Sequence, residues 1–261
     1  MEKKLLCVIL ILSSLCSISQ WRLSREVELT KKPHSFASDS QGNIYIGYRD
    51  GSLVKYDSTG KELLNYSLSN QSPITLIEPQ FQLKTFLFYF DNQVITILDR
   101  FNSIPKNYPI RDLSNSIVSN ACPAMDGSFW MVENNPLILK RIDPNRKNVI
   151  VEVQPELGTD IRYMKAYQNI LLIADEKALF IFDQFGTLLF KLDGIKTTSL
   201  SIENDEVLLL SKSEVIKIDP FKGEILSKKE TPLEGVSGMI YTGSSYVFIQ
   251  DKKLFFYRKQ N

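Results

Sequence analysis

The sequence predicts an all-β protein built from six copies of one short unit. The clearest copy is QGNIYIGYRDGSLVKYDSTGKEL, residues 41–63, in which two strand-like runs flank a tight polar turn and a second turn follows. The runs are rich in Ile, Val, Phe, Tyr and Leu, and several alternate apolar with polar positions, as half-buried strands do. After the first nineteen residues no window keeps an apolar stripe at helical spacing, so we expect no helix there.

The same hairpin recurs at intervals of about 40 residues, a period typical of blade repeats. The copies end at Asp57, Asp99, Asp143, Asp183 and Asp219, and the sixth ends at Arg258. One strand-like piece precedes each hairpin and another follows five of them, so each unit has the four strands of a propeller blade. The sequence therefore predicts a six-bladed β-propeller with approximate blades 34–71, 73–111, 118–154, 161–194, 197–231 and 236–258 plus 22–30.

The N-terminal strand is expected to close the ring. The sixth unit lacks a fourth strand because the chain ends at Asn261. Residues 22–30, RLSREVELT, carry alternate apolar residues at Leu23, Val27 and Leu29. Pairing of this segment into the last blade would remove a free strand edge that otherwise invites aggregation. Residues 20–261 would then form a single propeller domain.

The repeated aspartates have a structural explanation. Each stands where a turn is expected, and a carboxylate there can accept backbone N–H groups two residues further on; after Asp57, Asp183 and Asp219 a glycine can adopt the positive φ that ends the turn. The sixth unit has no following turn and no such Asp, which favours a structural role for the series. The turn residues in this prediction are Asp57, Asp99, Asp143, Asp183, Asp219, Gly60, Gly186 and Gly223.

Residues 1–19, MEKKLLCVILILSSLCSIS, read as a signal peptide with a positive start and an apolar core. The uncharged run is about a dozen residues, against the roughly 20 that a transmembrane helix needs. We expect cleavage near Ser19/Gln20 and export to the periplasm or the extracellular space. Lipidation at Cys16 would tether the protein to a membrane, but Leu15 and Ser13 do not fit the usual acylation motif.

Charge and cysteine content exclude several protein classes. Loss of Lys3, Lys4 and Glu2 with the signal peptide turns the formal net charge of +1 into zero, so no basic excess predicts a nucleic-acid partner. The cleaved chain keeps Cys122 alone, which leaves no partner for an intramolecular disulfide. Between Ala121 and Pro123, this thiol is expected to be a buried, small apolar side chain. We expect a monomer stabilised by its core.

The units resemble β-propeller repeats of the broad NHL, PQQ-like and two-component-regulator type. GNIYIG, Gly42 to Gly47, is similar to the regulator-propeller pattern D-G-N-L-W-I-G that opens a blade. The resemblance covers residues 22–258 and implies a six-bladed ring that binds on one face or in the central channel. Folds of this kind host many unrelated functions, so the resemblance does not name an activity.

The sequence has few features that predict catalysis. His34 is the single histidine, which nearly excludes His-rich metal sites and the usual Ser-His-Asp triad. No P-loop, CxxC, HExxH or GxSxG motif occurs. Six-bladed lactonases and related enzymes hold calcium with carboxylate and amide oxygens, and the inner strands offer scattered candidates of this type. These are Asp39, Glu78, Asn120, Asp126, Glu203 and Asp205. No cofactor or metal is predicted.

A binding face is the leading prediction. In a propeller, the turn between strands two and three of each blade shares a face with the links between blades. The longest link, RDLSNSIV at 111–118, is the best single candidate, because long polar loops on rigid scaffolds commonly carry recognition. The residues predicted for this face are Arg49, Asp50, Asn70, Gln71, Asn92, Arg111, Asp112, Asn134, Asn135, Glu156, Lys177 and Lys252.

These observations predict an exported, non-catalytic binding or scaffold protein of a bacterial cell envelope that contacts a protein partner through one propeller face. One alternative is a metal-dependent hydrolase or lactonase-like enzyme with its site in the channel, which requires converging carboxylates. A second alternative is a sensor domain for a small envelope ligand, which requires a pocket with a few converging polar groups.

Overall fold

The computed structural model describes residues 21–67, 72–80, 84–99 and 105–259, and within them the predicted six-bladed β-propeller is confirmed. Each blade is an antiparallel sheet of four strands.

The described chain starts with β1 (Trp21–Glu28), and the blades then follow in order. Blade 1 has β2 (Ser35–Ser38), β3 (Ile44–Gly47), β4 (Leu53–Tyr56) and β5 (Glu62–Tyr66); blade 2 has β6 (Leu76–Gln80), β7 (Lys84–Tyr89), β8 (Val94–Asp99) and β9 (Lys106–Pro109); blade 3 has β10 (Val118–Pro123), β11 (Phe129–Glu133), β12 (Ile138–Asp143) and β13 (Asn148–Val153). Blade 4 has β14 (Tyr163–Tyr167), β15 (Ile170–Ala174), β16 (Ala178–Asp183) and β17 (Leu188–Asp193); blade 5 has β18 (Thr197–Glu203), β19 (Glu206–Ser211), β20 (Glu214–Asp219) and β21 (Glu224–Glu230); blade 6 has β22 (Gly238–Tyr241), β23 (Tyr246–Gln250), β24 (Lys253–Lys259) and β1.

The core lies between blades. The second and third strands of each blade are rich in Ile, Leu, Val and Phe, and side chains on both sides of these sheets pack against a neighbouring blade. Between blades 4 and 5, for example, Leu172 and Ile181 pack in one cluster with Leu209 and Ile216. Each of the six interfaces between adjacent blades has such a cluster of buried apolar side chains. Continuous apolar runs in these strands are therefore a consequence of packing on two faces.

The N-terminal strand closes the ring, as predicted. β1 pairs antiparallel with β24 from Trp21 opposite Lys259 to Glu28 opposite Lys253. A bulge between Leu23 and Arg25 shifts the register, so Leu23 is exposed although the alternation places it with Val27 and Leu29. Trp21 is buried instead, with its ring edge-on to Tyr246 at 5.0 Å and to Phe248 at 5.4 Å.

In blades 1, 4 and 5, a glycine in the turn between the third and fourth strands packs against the preceding blade of the ring. A Cβ on Gly223 of blade 5 would lie 2.5 Å from the ring of Phe190 in β17 of blade 4. Gly60 of blade 1 has φ +81° and approaches Val27 of β1 equally closely, since its Cβ would lie 2.6 Å from Val27 Cγ2. The contact that recurs along the ring therefore also joins its two ends.

The aspartates that start these turns accept backbone N–H groups. Oδ1 of Asp57 accepts from Thr59 at 2.8 Å and from Lys61 at 3.0 Å, and Asp183 accepts from Phe185 and Thr187 at 2.8 Å each. Oδ1 of Asp143 and Oδ1 of Asp219 each accept two backbone N–H groups as well. The donors are the residues two and three positions further along the chain. Residues 100–104 after Asp99 lie outside the described residues.

One position of the third strand alternates between a basic and an apolar residue from blade to blade. It lies two residues before the Asp that ends the strand, or before Arg258 in blade 6. In blade order these residues are Lys55, Ile97, Arg141, Ile181, Lys217 and Phe256. Each basic residue pairs with an acid near the end of its own blade's inner strand: Lys55 with Asp39 at 3.6 Å, Arg141 with Asp126 at 2.7 Å, and Lys217 with Glu203 at 2.7 Å. Blades 1, 3 and 5 therefore share a feature that blades 2, 4 and 6 lack.

Two further predictions concern buried and helical structure. Cys122 lies in the interface between blades 3 and 4 with its thiol fully buried, as expected, and burial raises the pKa of that thiol. The described ranges contain no α-helix, and a 3-10 helix covers Ile110–Asp112. No helix in the described part of the chain is long and apolar enough to cross a bilayer.

Candidate functional site

A cavity of about 780 Å³ runs through the middle of the ring. Its wall is formed by the inner strands β2, β6, β10, β14, β18 and β22, each of which contacts the next around the ring. His34 and Arg162 line the cavity where inner strands begin, and Met125 and Gly243 line it beyond the ends of inner strands. We call this cavity the central channel.

The channel wall combines apolar side chains with one internal ion pair. Phe36, Leu76 and Leu200 contribute apolar surface. Glu78 of blade 2 forms a salt bridge with Lys165 of blade 4, so the pair spans the width of blade 3. The two side chains keep 16% and 21% of their surface exposed, so both remain accessible from the channel.

The carboxylates predicted as possible metal ligands do not converge. Among the described residues, no three His, Cys, Asp or Glu side chains are grouped to hold a metal ion. Asp39 accepts from the Asn43 backbone N–H at 2.9 Å and the Tyr45 hydroxyl at 3.1 Å. Glu203 accepts from the Tyr246 hydroxyl at 2.8 Å, which together with burial raises the pKa of Tyr246.

The remaining members of that set also have partners. Asp126 accepts from Ser128 and Arg141, and Asp205 accepts from Tyr167. The Asn120 amide donates to the Ile161 carbonyl oxygen at 3.3 Å. Each of these side chains therefore holds a turn, a strand end or a neighbouring strand in place.

The predicted binding residues that the structure describes lie on turns and links. Asn70 and Gln71 lie outside the described residues. Asn134 is half-buried, and nine side chains are exposed: Arg49, Asp50, Asn92, Arg111, Asp112, Asn135, Glu156, Lys177 and Lys252. They form separate groups around the ring, and the largest group lies where blade 2 meets blade 3. We call that group, together with the link 110–117 and Phe90, the link surface.

The link surface is held in place by hydrogen bonds at both ends. The Gln93 side chain donates to the carbonyl oxygens of Phe90 at 2.8 Å and Val118 at 2.9 Å, and it accepts from the Val118 N–H at 2.8 Å. The Asn134 N–H donates to the Ile117 carbonyl oxygen at 3.0 Å. These bonds join the turn of blade 2, the link and the turn of blade 3, so the link is fixed to the scaffold.

A buried charge anchors the middle of the link. Ser114 donates to Oε1 of Glu133 at 2.5 Å, and Lys140 pairs with the same oxygen at 3.0 Å. The Glu133 side chain is 1% exposed, so its charge depends on these partners. Loss of the Ser114 hydroxyl would therefore loosen the link at its centre.

The link surface presents apolar side chains that the sequence analysis did not single out. Ile117, on the link, is 61% exposed, and Phe90, on the turn of blade 2, is 40% exposed. Gln93 joins these two segments. Arg111 lies on the same link with its side chain 88% exposed. Ile117 follows three polar residues at positions 114–116, Ser-Asn-Ser, and an apolar residue after such a run was an available signal.

Some predicted binding residues are engaged with neighbours. Asp50 pairs with Lys31, and hydrogen bonds from Lys31 and Ser52 lower the pKa of Asp50 to about 2. Asp112 pairs with Lys147 of the next blade at 3.4 Å and lies 4.0 Å from Arg111, and its side chain is 46% exposed against 88% for Arg111. Arg111 therefore offers the more accessible charge of the predicted pair Arg111 and Asp112.

No protein-family model matches the chain, and no curated protein does so either. Solved structures share its architecture. A catalytically inactive variant of virginiamycin B lyase from Staphylococcus aureus, crystallised with quinupristin, is 14% identical, with a TM-score of 0.66 over 91% of this chain and 99% of that chain. The β-propeller domain of Cps50 (Swd1) from Myceliophteria thermophila is 10% identical, with a TM-score of 0.66 over 92% of this chain and all of that chain (100%). A chain of the mitotic checkpoint complex is 12% identical, with a TM-score of 0.60 over 86% of this chain and 73% of that chain. At these identities the similarity shows the propeller fold alone. The similar structures include an enzyme, and the names of the other two state no activity.

Proposed function

We propose that this propeller is an exported, non-catalytic scaffold that binds a protein partner through the link surface. The observation that supports the proposal is the combination of exposure and rigidity at the meeting of blades 2 and 3. Ile117, Phe90 and Arg111 are exposed there on segments that Gln93 and Asn134 hold in place. Arg is among the residues in which interaction hot spots are enriched, and a preorganised surface lowers the cost of binding.

One of the similar structures, a chain of the mitotic checkpoint complex, belongs to a protein assembly, which is the kind of role that we propose. The enzyme alternative has less support, because the acidic residues among the described channel lining are Asp39, which accepts from Tyr45, and Glu78, which pairs with Lys165, while Glu203 and Asp205 do not line the channel. The propeller of virginiamycin B lyase is a fold neighbour and brings no reaction to this chain.

Site-specific photo-crosslinking in the native host tests the proposal. We place p-benzoyl-phenylalanine at position 117 in the full chain with a C-terminal tag, irradiate intact cells and identify adducts by mass spectrometry. The matched control carries the same residue at position 188, because Leu188 is 47% exposed on the outer strand β17 of blade 4. We expect one discrete protein adduct from position 117 and none from position 188.

A second variant assigns the adduct to the link surface. Arg111→Glu reverses the exposed charge on the same link and is expected to abolish the adduct while thermal unfolding stays unchanged. The same adduct from positions 117 and 188, or no adduct from position 117 at several expression levels, would contradict the proposal.

Export to a bacterial envelope, and a monomeric state there, are further parts of the proposal. A cut near Ser19/Gln20 would leave the whole of β1 in the mature chain, and β1 is the strand that completes blade 6. Export and folding would therefore be compatible with this cleavage site.

A further inference from the structure

We propose that the central channel is a binding site for a zwitterionic, amphipathic molecule of the size of a short apolar peptide. This site is separate from the link surface, so the inference does not depend on the proposed protein partner. The volume of about 780 Å³ lies within the range typical of small-molecule pockets. The proposal rests on the charge and the apolar surface of the wall.

The ion pair between Glu78 and Lys165 determines the charge of the ligand. Opposite charges from blade 2 and blade 4 stand side by side on the wall, and both are partly accessible from the channel. A neutral ligand would displace water from both groups without replacing its hydrogen bonds, which is costly for ionised side chains. An anion would meet Glu78 and a cation would meet Lys165, so each would gain one contact and suffer one repulsion. A molecule with both an ammonium and a carboxylate satisfies both groups at once.

The apolar and aromatic side chains of the channel wall determine the uncharged part of the ligand. Phe36, Leu76, Leu200 and Tyr241 line the channel from blades 1, 2, 5 and 6, and each is only partly buried. A ligand with apolar side chains would remove this surface from water, at a gain of roughly 25 cal/mol for each Å². Of the other charged lining residues, Arg162 pairs with Asp160 at 3.1 Å, and Asp39 pairs with Lys55 at 3.6 Å with its side chain 1% exposed, which leaves Glu78 and Lys165 as the central charges.

Calorimetric titration of the full chain with L-phenylalanyl-L-phenylalanine and L-leucyl-L-leucine tests the proposal. We expect at least one of the two peptides to bind, and we expect N-acetylation or C-amidation of that peptide to weaken binding at least tenfold. No heat of binding with either peptide at millimolar concentration would overturn the proposal. Equal affinity of the free and the blocked peptides would overturn the zwitterion argument.

Variants assign the binding to the ion pair. Glu78→Gln and Lys165→Met are each expected to weaken binding at least tenfold, and Lys61→Met, at an exposed lysine outside the channel, is expected to leave it unchanged. Since a single change could weaken folding, the double variant Glu78→Lys with Lys165→Glu restores a pair of opposite sign. We expect it to bind within threefold of the parent, and tenfold weaker binding by a folded double variant would contradict the role of the pair. Saturation with peptide should leave the adduct at position 117 unchanged, which separates this site from the proposed function.

Discussion

Replacing Trp21 with alanine tests whether β1 closes the ring as the structure indicates. Trp21 is 9% exposed, contacts the rings of Tyr246 and Phe248, and its indole N–H donates to the Glu230 carbonyl oxygen at 2.9 Å. Truncating a buried tryptophan to alanine typically costs 3–5 kcal/mol, so we expect a loss of about 4 kcal/mol in the free energy of unfolding. This is a large part of the roughly 5–15 kcal/mol available to a domain.

Urea unfolding followed by circular dichroism measures the effect. With a denaturant slope of roughly 3 kcal/mol per molar, a loss of about 4 kcal/mol lowers the midpoint by more than about 1 M. Trp21→Phe keeps an aromatic ring and loses the N–H donor, so it is expected to cost about 1 kcal/mol. Leu23→Ala is the matched control in the same strand, because Leu23 is 48% exposed. It should change the free energy by less than about 0.5 kcal/mol. Equal effects of Trp21→Ala and Leu23→Ala would refute the closure argument.

Three further predictions concern titration, thiol reactivity and processing. Lys31→Ala removes a hydrogen bond to Asp50, so the pKa of Asp50 should rise from about 2 toward 3.8 in an NMR titration. Because the pKa of Asp50 is lower in the folded than in the unfolded state, the pair stabilises the fold above pH 3.8, and this stabilisation is lost as the pH falls toward 2. Cys122 should not react with a thiol reagent at pH 8 in the native state and should react fully in urea, because burial raises its pKa and blocks access. Mass spectrometry of the exported protein should find Gln20 as the first residue, and a longer N-terminus would contradict the proposed signal peptide.

The sequence was sufficient to predict the blades because period and alternation are local properties of the chain. Continuous apolar runs such as Ile170–Ala174 mark strands that pack on both faces, and the turn aspartates mark their ends. The register of β1 could not be predicted, since the bulge after Leu23 changes which side chains face the core. A bulge depends on the partner strand, and β24 lies at the other end of the chain.

The candidate sites were less predictable because they join distant parts of the chain. The ion pair in the channel joins Glu78 to Lys165, which are 87 positions apart, and Glu78 alone suggested a metal ligand. In the same way, the exposure of Ile117 depends on hydrogen bonds from Gln93 and Asn134 that fix the link. Sequence reasoning identified the link as a candidate from its length and polarity but not the apolar side chain that it presents.

The alternation of basic and apolar residues on the third strands has a consequence for the symmetry of the ring. Lys55, Arg141 and Lys217 recur in every second blade, each with its own acidic partner, so the ring has an approximate threefold symmetry beneath its six blades. The repeating unit of the ring is then two blades, present three times. Blades 1, 3 and 5 are therefore the natural parts to exchange with one another in a chimeric protein, because each blade carries both its basic residue and the acid that pairs with it.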